Sequence, residues 1–327
     1  MSNLFVIGTP LQLINAIEAI EYFNLKNNVL VLINVSKAKN KEQVDDIVKL
    51  YSWKKIVEIK NGKGLNFFKY FSIIRNLQKQ KYNNVFVAKL DSISMAIAAN
   101  THKEKLFLLD DGSLTISIYK KYILDGCQVT YRFKEFRFLL LGLKVKIRDK
   151  VNLFTYYDLE PVNGNEVIKN SMTYFKSKYI STTKNKNDYI YFIGQPLNEL
   201  ISRELHKKII EKIIIKNNKK MIYIPHREES DVSLKNLEGM TKSLFEIRDL
   251  GMPVELYFLK NSIYPSNVFS FYSTALATIE LIYDKCNIYY IKIPQNQSNK
   301  KYYTLDLRQY YEHIGSNKLI MLKDIGL

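Results

Sequence analysis

Cysteine occurs only at Cys127 and Cys286 in a chain of 327 residues. Two thiols so far apart in sequence supply neither a disulfide framework nor the paired ligands of a zinc site, and their scarcity fits a reducing compartment. No apolar run reaches the ~20 residues that a membrane-spanning helix needs. The opening "MSNLFVIGTP" has no basic n-region, no long apolar stretch and no small-residue cleavage site, so the expected location is the cytoplasm. There is no Gly-x-x-x-x-Gly-Lys phosphate loop, no Gly-x-Gly-x-x-Gly after a strand, and no His or Cys cluster with metal-ligand spacing. Neither a metal nor a cofactor is expected. Acidic residues are also scarce, 32 against 49 Lys and Arg, for a formal charge of +17. Such an excess suits an anionic partner: nucleic acid, a membrane surface or a phosphorylated substrate. Much of it is Lys scattered among Asn, Ile and Tyr, a flavour that biased base composition also produces, so a solvated basic surface accounts for most of the charge.

What is present is enough apolar material, 46% of residues, for a substantial core, and the length suits two domains. "NLFVIGTPLQLINAIEAIEYF" reads as a buried strand, a Gly8-Thr9-Pro10 turn and a helix with Leu13, Ile14, Ile17 and Ile20 at helical spacing. "NVLVLINV" is a second strand, "KEQVDDIVKLY" a helix, "VEI" a short strand, and Phe68 to Gln80 a helix. "NNVFVAKL" and "KLFLLDDG" each offer a strand ending in polar residues. This alternation predicts a parallel sheet covered on both faces, with ligands at the carboxyl ends of its strands. From Tyr131 to Lys150 basic residues interleave with Phe and Leu. That pattern suits a membrane-surface helix, or, the reading we prefer, a helix covering the core with cationic stems reaching outward. The polar stretch Tyr156 to Asn187 is the expected interdomain linker. A second series follows in "DYIYFIGQPL", the helix "ELISRELHKKIIEKIII", in which His206 is expected to be solvated, then "KKMIYIPHREES", "GMPVELYFLK" and "NVFSFYSTALATI". "CNIYYIKIP" and a terminal helix complete it. The expected architecture is α/β with two Rossmann-like domains, residues 1–180 and 181–327, whose parallel sheets face a central cleft.

Four stretches carry residues suited to chemistry. Asp110 and Asp111 end a strand, where a carboxylate can accept a substrate proton, and Gly112 permits a tight turn; an Asp capping the next helix is the plainer alternative. His226 follows "MIYIP" at another strand end, where an imidazole can bond a phosphate oxygen or protonate a leaving group; a merely packed histidine is the plainer alternative. Ser273 and Thr274 stand at a strand-to-helix turn suited to an anion, or to a simple N-cap. Glu255 is a charge in an otherwise apolar segment, read as a strand, placed either to bond a ribose hydroxyl or to face water.

Taken in order, "LDDGS", "IPH", "PVELYF" and "YSTAL" resemble the bacterial sialyltransferases of the two-domain GT-B type, the lipooligosaccharide and capsule enzymes and more distantly the polysialyltransferases. The resemblance spans nearly the whole chain and includes "NLFVIGTPLQL", similar to the acceptor-side first strand and turn. It implies an inverting transfer of sialic acid from CMP-sialic acid to a galactose-type hydroxyl of a lipooligosaccharide or capsular glycan. By this resemblance Asp110 is the general base with Asp111 beside it, and His226 contacts the phosphate. Glu255 holds the cytidine ribose, Ser273 and Thr274 bind the phosphate, and Thr9, Gln12, Gly112, Gln195 and Glu199 line the substrates. Two departures stand out: Pro225 precedes the histidine where the family has proline after it, and Leu197 occupies the place of an acidic residue after the Gly-x-Pro turn, with Glu199 two further on. The implied partners are a CMP-sugar and a glycan rather than nucleic acid, with peripheral membrane contact and a homodimer left open. The rival readings are another CMP- or UDP-sugar transferase on the same scaffold, and a basic nucleic-acid-binding protein.

Overall fold

The structure, a computed structural model, describes residues 2–33, 38–60, 66–126, 133–180, 188–197, 200–238, 240, 243–299, 305–314 and 318–326. The chain divides into two compact units, Met1–Tyr174 and Phe175–Leu327.

The first unit runs β1 (Ser2–Ile7), α1 (Pro10–Tyr22), β2 (Asn28–Ile33), α2 (Ala38–Val48), β3 (Lys55–Ile59), α3 (Asn66–Gln78) and β4 (Lys81–Val87). It continues through α4 (Ser92–Asn100), β5 (His102–Leu109), α5 (Leu114–Ile118), α6 (Phe133–Leu140), β6 (Val151–Thr155) and β7 (Val167–Lys169). Its sheet is parallel, in the order β3-β2-β1-β4-β5-β6-β7. Strands β1 and β2 are buried at every position, as expected of parallel strands covered on both faces. Alternation sends Leu4, Val6, Val85 and Val87 to one face, into a cluster with Ile74, Leu77 and Ile97. On the other face Phe5, Phe86 and Phe107 are direct register partners, with ring centroids 4.5 and 5.1 Å apart. Burying three such rings removes on the order of 500 Å² from water.

The polar stretch expected to be a linker holds structure. β7 pairs with β6, and α7 (Thr173–Tyr179) crosses the division between the units. Asn170 explains how so polar a segment packs: its N–H donates to the Thr155 carbonyl at 2.8 Å and its Nδ2 to Asn15 Oδ1 at 3.1 Å, both inside the fold.

The second unit continues with β8 (Ile190–Ile193), α8 (Arg203–Asn217), β9 (Met221–Ile224), α9 (Asp231–Glu238), β10 (Phe245–Ile247) and α10 (Val254–Lys260). Then come β11 (Asn267–Ser270), α11 (Ala275–Ile282), β12 (Asn287–Ile291), α12 (Leu305–Ile314) and β13 (Leu319–Ile320). The order β10-β9-β8-β11-β12-β13 is again parallel throughout. "PVELYF", expected to be a strand, is α10. Pro253, at φ −54°, stands at its N-terminus, and Val254, Leu256, Phe258 and Leu259 are buried with Glu255. A helix of about two turns buried nearly all round carries the same apolar density as a core strand.

His206, expected to be solvated on α8, is buried. It shares the inner face of that helix with Ile209, Ile210 and Ile213 and packs against the rings of Phe192, Tyr223 and Phe271. Desolvation holds its pKa down, to about 4.

Candidate active site

In each sheet the strand order reverses once, between β1 and β4 in the first unit and between β8 and β11 in the second. Crevices at such switch points, outside the carboxyl ends of the strands, are where parallel α/β sheets bind ligands. Of the expected site residues, Thr9, Asp110, Asp111, Gly112, Gln195, His226, Ser273 and Thr274 fall in loops at the carboxyl ends of strands; Gln12 follows in the first turn of α1, Glu255 lies in α10, and Glu199 lies outside the described residues.

In the first unit the β1–α1 turn is closed by side chains. The Thr9 hydroxyl caps α1, accepting from the Gln12 N–H at 3.4 Å, and Gln12 Oε1 accepts from the Gly8 N–H at 2.7 Å. Gln12 is wholly buried, and its Nε2 has no hydrogen-bond partner. Asn40 donates to the Gly8 carbonyl at 3.3 Å and its Oδ1 is likewise unpartnered, so the Gly8 peptide is flanked by one orphan donor and one orphan acceptor.

The adjacent carboxylates at the end of β5 part company. Asp110 has no exposed surface. Its Oδ1 accepts from the Thr155 hydroxyl at 2.7 Å, its Oδ2 from the Tyr156 N–H at 2.8 Å, and its carbonyl from Asn15 Nδ2 at 3.1 Å. Asp110 thus pins the end of β5 to the end of β6. Burial pushes its pKa up to about 7, against the pull of the Thr155, Tyr156 and Thr115 hydrogen bonds. Asp111 is partly exposed, its backbone N–H donating to Thr115 Oγ1 at 2.9 Å, and Gly112 follows at φ +65°, a left-handed conformation that disfavours any side chain. The expected assignment of Asp110 as the base therefore meets a geometric obstacle: an acceptor hydroxyl has no approach to a carboxylate enclosed on all sides. Asp111 has the exposure the role requires.

In the second unit three loops are knitted together. After β9, His226 donates its backbone N–H to Glu229 Oε2 at 2.7 Å, and its Nδ1 accepts from the Glu228 N–H at 3.1 Å. An accepting Nδ1 puts the proton of the neutral ring on Nε2, which makes that atom a donor. Glu229 was not marked by the sequence. Its Oε1 accepts from the Tyr223 hydroxyl at 2.5 Å, and desolvation raises its pKa to about 7. Carboxylate and phenol lie directly over Gly194. A Cβ there would collide with Glu229 Oε2 and come 2.6 Å from the Tyr223 oxygen. After β8, Gln195 reaches to the third loop: its Oε1 accepts from the Tyr272 N–H at 2.7 Å and from Ser270 Oγ at 3.3 Å. That bond sets the turn carrying Ser273 and Thr274. Thr274 stands at the N-cap of α11 without a side-chain cap bond, and Ser273 Oγ accepts weakly from the Ala275 N–H at 3.4 Å. The first amides of α11 already donate inside the turn, Leu276 to the Ser273 carbonyl at 3.2 Å and Ala277 to the Thr274 carbonyl at 3.1 Å, so what this end offers an anion is the two hydroxyls with the helix dipole behind them. Gln195 is thus a brace more than a ligand contact.

Glu255 belongs to the same unit but is 5% exposed, its Oε1 accepting from the Thr278 hydroxyl on α11 at 2.7 Å. Burial raises its pKa and leaves little of the side chain within reach of the ribose hydroxyl expected for it. Among the described residues no group of three His, Cys, Asp or Glu side chains could hold a metal ion. No helix among them is long and apolar enough to cross a membrane.

Comparison with known structures gives the same fold. The GT-B domain of a sialyltransferase from Photobacterium damselae superposes with a TM-score of 0.50 at 12% identity, covering 98% of this chain and 100% of that one. A Listeria monocytogenes protein described as a UDP-N-acetylglucosamine 2-epimerase matches with a TM-score of 0.58 at 11% identity, over 97% and 82%. The UDP-GlcNAc 2-epimerase of Neisseria meningitidis, bound to UDP-GlcNAc, matches at 0.50 and 12%, over 84% and 79%. The two parallel sheets are those of the GT-B fold. No curated protein is similar enough in sequence to count as a match. The alpha-2,8-polysialyltransferase (POLYST) model matches residues 3–292, and the chain belongs to that family.

Proposed function

We propose that the protein is an inverting sialyltransferase that moves sialic acid from CMP-sialic acid to a terminal galactose-type hydroxyl of a lipooligosaccharide or capsular glycan. The observation that carries this reading is the second unit's anion site: His226 and the Ser273–Thr274 turn stand on loops tied together through Glu229, Gly194 and Gln195 beside a sheet switch point. A nucleotide phosphate is the ligand such a site suits.

CMP is a good leaving group on a tertiary anomeric carbon that already bears a carboxylate, so the transition state is oxocarbenium-like and needs little nucleophilic push. The bond from that carbon to the phosphate oxygen breaks as the acceptor oxygen attacks from the opposite face. Asp111 takes the acceptor proton, and Asp110 acts as a positioning residue that fixes the turn from beneath. His226 Nε2–H and the two hydroxyls, with the α11 dipole behind them, stabilise the charge arriving on CMP, where preorganised donors are most effective. No step needs a metal.

The test is a donor screen with lactose as trial acceptor, comparing CMP-sialic acid, CMP-Kdo and UDP-sugars by nucleotide release and glycan mass gain. Turnover only with UDP-sugars would replace this reading with the rival glycosyltransferase. Salt-sensitive binding of random RNA or DNA with no response to CMP would replace it with the nucleic-acid one.

A further inference from the structure

We propose that the cavity between α1 and the loop joining β7 to α7 is an acceptor subsite that holds a neutral sugar ring, the one behind the residue whose hydroxyl is sialylated. The assignment rests on the transferase reading above. The cavity, of about 350 Å³, is lined entirely by the first unit and sits at the carboxyl ends of β6 and β7, where parallel sheets receive ligands. Its size is at the small end of the range for ligand pockets and suits one ring better than an extended chain. One wall is aromatic. Tyr22, the last residue of α1, is 59% exposed, yet its ring is held 4.9 Å from that of Phe23 and 5.4 Å from that of Phe154. A phenol fixed in this way offers an apolar face and a polar tip, a match for the C–H face and hydroxyls of a sugar. The loop supplies exposed Ser171 and Thr173, and between them Met172 sits at φ +54°. That conformation is costly for a residue with a side chain and collects at ligand sites. Burial of Met172 and a bond from its N–H to Asn170 Oδ1 at 3.0 Å hold it there.

Charge selects the guest. Glu18 and Glu21 line the cavity, with Glu18 Oε2 accepting from the Tyr174 N–H at 3.1 Å. Lys169, the cation beside them, donates to Asp158 at 2.5 Å and to the Tyr156 carbonyl at 2.8 Å. An anionic sugar would meet two carboxylates whose nearby cation is already engaged. A purely apolar molecule would strip water from the acids and hydroxyls and give them no partner. A neutral saccharide meets both demands. The position suits the reaction too: Asn170 lines the cavity and donates to Asn15, which donates to the Asp110 carbonyl, so two side chains separate the subsite from the turn that carries Asp111.

The test compares lactose with methyl β-galactoside, which lacks the inner ring, as acceptors. Wild type should show the lower KM for lactose. Tyr22→Ala should raise that KM about ten-fold while leaving kcat and the methyl β-galactoside KM unchanged, and Tyr22→Phe should restore it. Binding is read separately, without any donor, by saturation-transfer NMR: lactose and methyl β-glucoside should bind, and methyl β-glucuronide should not. If Tyr22→Ala failed to fold by circular dichroism, Glu21→Ala, with a similar expected loss, would decide. No lactose binding to wild type, unchanged lactose KM and binding in a folded variant, or glucuronide bound as well as glucoside overturns the subsite. Lactose binding that depends on Tyr22 without any sialyl transfer upholds the saccharide site and overturns the transferase reading alone. Transfer to lactose and methyl β-galactoside with equal KM does the reverse.

Discussion

The Thr155 hydroxyl donates to Asp110 Oδ1 at 2.7 Å inside the first unit, so the carboxyl one residue before Asp111 is a fastening between two strand ends. Replacing Asp110 by Ala strands that hydroxyl and the Tyr156 N–H without a partner, at about 1–3 kcal/mol. Asp111→Asn should leave chemical denaturation unchanged and cut turnover by ~10²–10⁴. Steady-state rates and urea melts of both variants check the division. Near wild-type turnover in Asp111→Asn would remove that residue from the chemistry.

Asp110 also has a pH signature. Its pKa is raised in the folded protein from 3.8 to about 7, so the folded state holds the proton over a window where the unfolded chain has lost it. The contribution is complete below about pH 4 and fades as pH rises through 7. The stability difference between wild type and Asp110→Asn should therefore shrink across that window, as read from urea midpoints.

His206 has the opposite sign. Its pKa is lowered in the folded protein from 6.5 to about 4, so the unfolded chain binds a proton that the folded one refuses. Stability is full above about pH 6.5 and falls as pH drops toward 4, by on the order of 3 kcal/mol. His206→Leu should abolish this acid loss. A variant as acid-sensitive as wild type would place the titrating group elsewhere.

Gly194→Ala should disturb the donor side without touching any residue that meets the nucleotide directly. The new methyl must displace the Glu229 carboxylate and the Tyr223 hydroxyl, and with them the bond that positions the His226 backbone. Calorimetry should show CMP affinity falling at least ten-fold, a larger loss than Gln195→Asn produces. Unchanged affinity would mean that the β9 loop holds its shape without Glu229.

Ser273→Ala with Thr274→Ala should weaken CMP binding by about ten-fold or more, the loss expected for hydrogen bonds to a charged group. Turnover should persist in excess EDTA. Complete loss of activity there, restored by Mg²⁺, would defeat the metal-free mechanism.

The alternation of apolar strands with helices was plain in the sequence because parallel strands are continuous apolar runs, and "NLFVI", "NVLVLI" and "NVFV" are such runs carrying β-branched residues. The same continuity hid which aspartate faces outward. Leu106, Phe107, Leu108 and Leu109 are all buried, so β5 offers no polar alternate from which to count the phase of Asp110. "PVELYF" failed for a related reason: in so short an apolar run periodicity does not separate strand from helix, and the useful signal was Pro253, a residue suited to a helix start. His206 was recoverable, since Ile209, Ile210 and Ile213 mark the inner face of α8 and the histidine lies on it. Glu229 was not. Its meaning depends on Tyr223 and Gly194, and nothing local in "HREES" marks it.

Strand β5 begins beside a groove lined by Lys103, Lys144 and Arg148 and ends one residue before the acidic pair. Its eight residues span roughly 25 Å. Substitutions in the groove and at Asp111 are thus far enough apart that their effects on stability should add.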